Sequence, residues 1–176
     1  MNGKATAFLV VTAAAIVTAL IMIKRRKKKA VNYRSSENLL NKIQQFEGFR
    51  PLPYMDGGRY SIGYGHQIQP DEQYLMQGIS TEQGRDLLSK DLAKYEAAVD
   101  TLVTVPINQN QFDSLVDFAY NMGIGALQGS TLLRLVNSNA PTSDIVAEFI
   151  KWNHANGTVV AGLTNRRAWE ANNYTA

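Results

Sequence analysis

At 176 residues, 45% of them hydrophobic, the chain has room for one globular domain with a sizeable core and not for two. It contains no cysteine, which excludes a disulfide framework, a thiol nucleophile and a Cys-ligated zinc. The net charge of +3 is unevenly placed: Lys4 and the run Lys24, Arg25, Arg26, Lys27, Lys28, Lys29 hold seven of the 18 basic residues, and beyond position 30 eleven basic residues face fifteen acidic ones, net −4.

After a short tail, residues 1–4, the stretch 5–23 (ATAFLVVTAAAIVTALIMI) runs for 19 residues without a charge. As a helix it covers about 28 Å, close to the hydrocarbon thickness of a bilayer. A cleavable signal peptide carries its positive charges before the apolar run and a small-residue cleavage site after it. Here the order is reversed, which predicts a retained transmembrane helix. Residues 24–35 form a basic juxtamembrane linker. Clustered Lys and Arg favour the cytoplasmic face of a membrane, and they also suit anionic lipid or nucleic-acid phosphate as nonspecific partners.

Residues 36–176 read as the folded domain. Ser36 is a helix cap, and Leu39, Leu40, Ile43 and Phe46 recur at helical spacing until Glu47 and Gly48 close the helix. Prolines, an Asp-Gly-Gly turn and alternating aromatics over 50–65 predict an antiparallel hairpin or three short strands. A second helix starts at a capping box, Ser80 with Gln83, and turns Leu87, Leu88, Leu92, Tyr95 and Val99 inward. A third, capped by Asn108, turns in Phe112, Leu115, Phe118, Ala119 and Met122 and stops at Gly123 and Gly125. Shorter helices are predicted at about 130–137, 142–153 and 164–174, the last two separated by the segment HANGTVVAGL. The class is α+β, a small antiparallel sheet followed by a mostly helical body and preceded by one transmembrane helix.

The chain has no P-loop, dinucleotide fingerprint, G-x-S-x-G elbow or H-E-x-x-H motif. His66 and His154 stand 88 residues apart, so neither a His-based metal site nor a serine triad is expected, and no cofactor is implied. The plain reading of each histidine is a hydrogen-bonded structural residue. Glu47, at a helix end, and Asp56, on a hairpin, are a pair suited to glycosidic cleavage, which needs one protonated acid and one ionised carboxylate across the sugar. Phe46, Phe49 and Tyr54 offer an apolar setting for one of them, and the Asp-Gly-Gly turn leaves the other solvated.

The block EGFRPLPYMDGGRYSIGYGH resembles the active-site segment of the phage-type lysozymes, glycoside hydrolase family 24. NQFDSLVDFAYNMGIGALQGSTLLRLVN is similar to that family's long central helix and the turn after it, and KWNHANGTVVAGLTNRRAWE to a segment near its end. The resemblance covers nearly all of 36–174. It implies Glu47 as the general acid, Asp56 as the carboxylate that orients or deprotonates water or stabilises the sugar cation, and Ser61 in the place of the Thr that helps hold the water. The interval from Asp56 to Ser61 is five residues where the family pattern has six. Tyr120 and Asn121 match positions lining the glycan cleft, Arg166 matches an Arg near the catalytic Glu, and His66 closes the motif as a further substrate-binding candidate.

The expected activity is hydrolysis of the β-1,4 bond between N-acetylmuramic acid and N-acetylglucosamine in peptidoglycan, for host cell-wall penetration or lysis. The alternatives are a lytic transglycosylase on the same bond and a non-catalytic glycan-binding or structural virion protein. The expected location is a membrane, crossed once, either the host inner membrane or the internal membrane of a virus particle whose packaged nucleic acid faces the basic run.

Overall fold

The computed structural model describes residues 33–176. The predicted span at 5–23 and most of the basic linker lie outside the described residues, and among the described residues no helix is long and apolar enough to cross a membrane. The first of the described residues are fastened to the body. Tyr33 stacks on Phe112 with ring centroids 5.5 Å apart, and Arg34 pairs with Glu96 at 3.0 Å. The Ser35 amide donates to the same carboxylate at 2.8 Å.

Ser36 then caps helix α1, Glu37–Glu47. Its hydroxyl accepts from the Leu39 amide and donates to buried Asp113 at 2.5 Å, so the cap also joins α1 to the centre of the domain. Burial pushes the Asp113 carboxyl upward, against the bonds from Ser36 and Gln109 that favour its ionised form. The helix ends because Gly48, at φ 70°, turns the chain out of helical space.

Strands β1 (Arg50–Asp56), β2 (Arg59–Gly63) and β3 (His66–Gln67) form one antiparallel sheet in sequence order. Asp56 pairs with Arg59 across a two-residue turn, Gly57-Gly58, in which both φ angles are positive. That turn type requires φ above zero at both central positions and is therefore served by glycine. A 3-10 turn, Gln73–Gln77, follows and packs Leu75 with Ile62, Ile79 and Leu87 into a small core under the sheet.

Helix α2, Thr81–Leu102, begins at the Ser80–Gln83 capping box and ties the two cores together. Gly84 lies against Phe49 so closely that an added Cβ would sit 2.7 Å from the ring, and Phe49 touches both cores. Helix α3, Gln109–Met122, is the axis of the domain: Phe112 through Ala119 are all buried. Helices α4 (Ile124–Gly129), α5 (Thr131–Asn137) and α6 (Thr142–Ile150) follow; α4 packs on α3, and Phe149 of α6 meets Phe118 of α3 edge-on with ring centroids 5.9 Å apart. The helix stops at Gly123 as expected, whereas Gly125 lies inside the helix that follows. Gly123 ends α3 at φ 94° and α4 starts on the next residue. The segment expected to be a plain connector holds a hairpin, β4 (His154–Ala155) with β5 (Thr158–Val159), turned at Asn156 and Gly157. Helix α7, Ala161–Thr175, starts three residues earlier than its apolar pattern suggests and packs on α3 and α6.

Candidate active site

Glu47 is the last residue of α1 and stands at the meeting point of two cavities. One, about 440 Å³, lies between the sheet and the helices, and its lining includes Glu47, Tyr54, Asp56, Tyr95, Tyr120 and Asn121. The other, about 680 Å³, lies on the far side of Glu47 between the end of α1 and the start of α7, and shares Glu47 and Asn121 with the first. Together they make a groove with the Glu47 carboxylate at its middle. Glu47 keeps 29% of its side chain exposed, enough to meet a ligand, while one oxygen accepts a 2.6 Å bond from Arg166 Nη1.

The guanidinium that reaches Glu47 is itself held from behind. Arg166 donates from Nε and Nη2 to the two oxygens of Asp117, at 3.0 and 2.7 Å, a two-pronged pair in which Asp117 is fully buried. Burial alone would pull the Arg166 guanidinium down, but Asp117 and then Glu47 reverse this and hold it above its ordinary value. Phe46 and Tyr120 add aromatic contact, with ring centroids 5.0 and 5.6 Å from its central carbon. Neighbouring Arg167 turns inward to Glu170 at 2.5 Å and to Asn121 at 3.0 Å. Burial drives the Glu170 carboxyl well above the usual carboxylate range, and the Asp117 charge adds to that while Arg167 opposes it.

Asp56 lies at the exposed tip of β1 and lines the first cavity with Glu47. Tyr54 pairs with Ser61 and Asp56 with Arg59, so Asp56 and Ser61 fall on the same face of the hairpin despite the shortened turn. Ser61 is nevertheless fully buried, with no partner for its hydroxyl, and it is not on the cavity lining. Tyr120 lines the cavity while its hydroxyl donates to the Tyr64 carbonyl at 3.0 Å. Burial, and then the Glu47 charge, push that phenol upward, so it stays neutral. His66 stands apart from the groove. Its Nδ1 meets Asp91 at 2.9 Å and its Nε2 meets Glu72 at 2.8 Å, which leaves neither ring nitrogen for a ligand. His154 is exposed on β4.

Sequence reasoning missed Asp117. A carboxylate within the apolar run FDSLVDFAY was the available signal, since a buried charge must be paired. Asp117 also lies three and four residues before Tyr120 and Asn121, on one helix face. Lys42 and Leu163 of the second cavity carried no such mark.

A small sheet ahead of a helical body, with a helix-end Glu and a hairpin Asp on one groove, defines the lysozyme-like class of α+β domain. Residues 44–170 match the model of the phage lysozyme family, "Phage lysozyme", and the chain belongs to that family. It is 41% identical to an endolysin of Bacillus phage B103 over 134 residues, which is 74% of this chain and 50% of that protein. It thus spans about half the length of that relative. Among solved structures it is similar to the muramidase domain of SpmX from Asticaccaulis excentricus, with a TM-score of 0.73, 34% identity, and coverage of 82% of this chain and 99% of that one. A lysozyme of phage P22 gives a TM-score of 0.72 at 30% identity, with the same coverage of both chains.

Proposed function

We propose that this protein cleaves the β-1,4 bond between N-acetylmuramic acid and N-acetylglucosamine in peptidoglycan, by hydrolysis. The observation that carries this reading is the placing of Glu47 and Asp56 on one open, polar groove, one from a helix end and one from a hairpin tip. Protonated Glu47 gives its proton to the bridging oxygen as the bond to the muramic C1 breaks. Water then adds at C1, and its proton passes to the Asp56 carboxylate. Asp56 also offsets the positive charge that builds on the sugar. Membership of the phage lysozyme family and the likeness to a muramidase domain support the substrate class. Tyr120, Asn121 and Arg166 would line the path of the glycan.

A lytic transglycosylase is the second reading, and one observation favours it: the Ser61 hydroxyl is sealed away from the cavity. A site without a held water would let the muramic 6-hydroxyl close on C1. Mass analysis of products from purified cell wall decides between them. Reducing muramic ends mean hydrolysis, 1,6-anhydro ends mean ring closure, and no glycan fragments at all would leave only a binding role.

The apolar stretch 5–23 is read as the anchor that carries this domain on a membrane, with the basic run at the anionic side. Full-length protein should then sediment with membranes and resist extraction by high salt. Release by salt alone would mean that the basic run held a peripheral protein to anionic lipid or nucleic acid.

A further inference from the structure

We propose that Asp117 is a positioning residue for Glu47: by sharing the Arg166 guanidinium it fixes the direction of the Nη1 bond to the acid and offsets the charge that would otherwise keep that acid ionised. This rests on Glu47 being the general acid.

The problem it answers is electrostatic. A general acid must keep a proton until the glycosidic oxygen takes it, yet Glu47 sits 2.6 Å from a guanidinium that is only 5% exposed. An unopposed cation that close favours the ionised carboxylate by about 1–3 pH units. Asp117 changes the balance. It is fully buried and occupies two of the five guanidinium donors at 3.0 and 2.7 Å. Arg166 and Asp117 therefore act on Glu47 as a nearly neutral pair, while the rigid fork leaves Nη1 aimed at it.

The other groups facing Glu47 do not supply this offset. Asp56 and Tyr54 approach from β1, and Asp91, Lys94 and Tyr95 from α2, across an open polar cavity where solvent screens them. Lys42 lies on the other side, half-buried on the lining of the second cavity, with its ammonium over the Phe46 ring and in an exposed bond to Gln45. Tyr120 is neutral. Among the described residues Asp117 is the one carboxylate besides Glu47 that is bonded to this cation, and its burial leaves its charge unscreened. Its position on α3, 49 residues from Arg166 in sequence, joins the central helix to the acid through one side chain.

The test is the pH profile of kcat/KM on purified peptidoglycan, with a ¹³C titration of the Glu47 carboxyl as a readout that needs no substrate. In Asp117→Asn the alkaline limb should move to lower pH by about one unit, which is about a tenfold loss of rate at a pH on that limb. Because Asn leaves a buried guanidinium partly unpaired, this variant can fail to fold. The double variant Asp117→Asn, Arg166→Gln replaces both charges and keeps a hydrogen-bonding pair. Its limb and its titration should lie within about half a unit of wild type, since a neutral pair has replaced a neutral pair. The proposal is overturned if Asp117→Asn folds and leaves the limb in place. It is equally overturned if the double variant titrates about one unit or more above wild type, for then Arg166 had been acting on Glu47 unopposed. Wild-type protein that releases no glycan at any pH would sink the muramidase reading instead, while the titration would still report the charge offset.

Discussion

Glu47 combines two demands on one side chain, exposure toward a groove and a fixed bond to Arg166. The Glu47→Gln substitution keeps the shape and can still accept from Nη1, but it has no acid proton to give. It should lower peptidoglycan cleavage by at least about 10²-fold with little change in the thermal midpoint, checked by turbidity loss and calorimetry on the same preparation. Activity within tenfold of wild type would take Glu47 out of the acid role. Ser61 poses the opposite case, a hydroxyl with full burial and no partner. Removing an unpaired buried polar group is favourable, so Ser61→Ala is expected to stabilise the domain by about 1 kcal/mol in urea unfolding. A loss of stability would show that a bound water satisfies the hydroxyl, which is what a water-holding role requires.

Among the elements, the three-stranded sheet rests on the smaller of the two cores, and His66 adds to this by tying β3 to α2 and to the loop at Glu72. The bond to Asp91 raises the imidazole above its ordinary 6.5; burial opposes that, and Glu72 adds to it. The Glu72 carboxyl is lowered on balance: burial acts upward, and the Gln69 amide and His66 outweigh it. A histidine raised in the folded state contributes stability that is fully present below pH 6.5 and is lost as pH rises through the raised value. A lowered Glu contributes above about 4.5 and loses its share as pH falls through its folded value. The clamp is therefore strongest between about pH 4.5 and 6.5. His66→Asn should lower the melting temperature by on the order of 5 °C there and by progressively less at alkaline pH. A penalty that does not shrink toward pH 10 would mean that the imidazole serves by packing and not by charge.

At the scale of the whole molecule, the point where the N-terminal segment joins the domain is set by contacts and not by composition. The polar stretch before Ser36 reads as a loose linker, yet Tyr33, Arg34 and Ser35 are bound to α2 and α3. Gln109 also donates to the Arg34 carbonyl at 2.8 Å. Removing residues 1–32 should leave a folded domain with full activity on isolated peptidoglycan. Removing 1–34 strips Tyr33 from Phe112 and the cation from buried Glu96, and should cost about 1–3 kcal/mol, read by chemical denaturation of the two truncations side by side. Equal stability would mean that these contacts are superficial.

The sequence by itself determined the elements whose cause is local. Ser36, Ser80 and Asn108 announce helix starts because a side-chain oxygen satisfies an amide within three residues. The Asp-Gly-Gly turn announces a hairpin because only glycine adopts its angles freely, and the run from Glu47 through the SIGYGH motif announces the family. The pairing of Glu47 with Arg166 spans 119 residues, that of Arg166 with Asp117 spans 49, and His66 finds Asp91 25 residues on. Such contacts leave no periodic trace in a chain, since they depend on which helix faces meet once the core has packed. The early start of α7, the β4–β5 hairpin, the sealed Ser61 hydroxyl and the withdrawal of His66 from the groove were decided at that level. There burial forces each charged or polar side chain to take whatever partner the packing brings within reach.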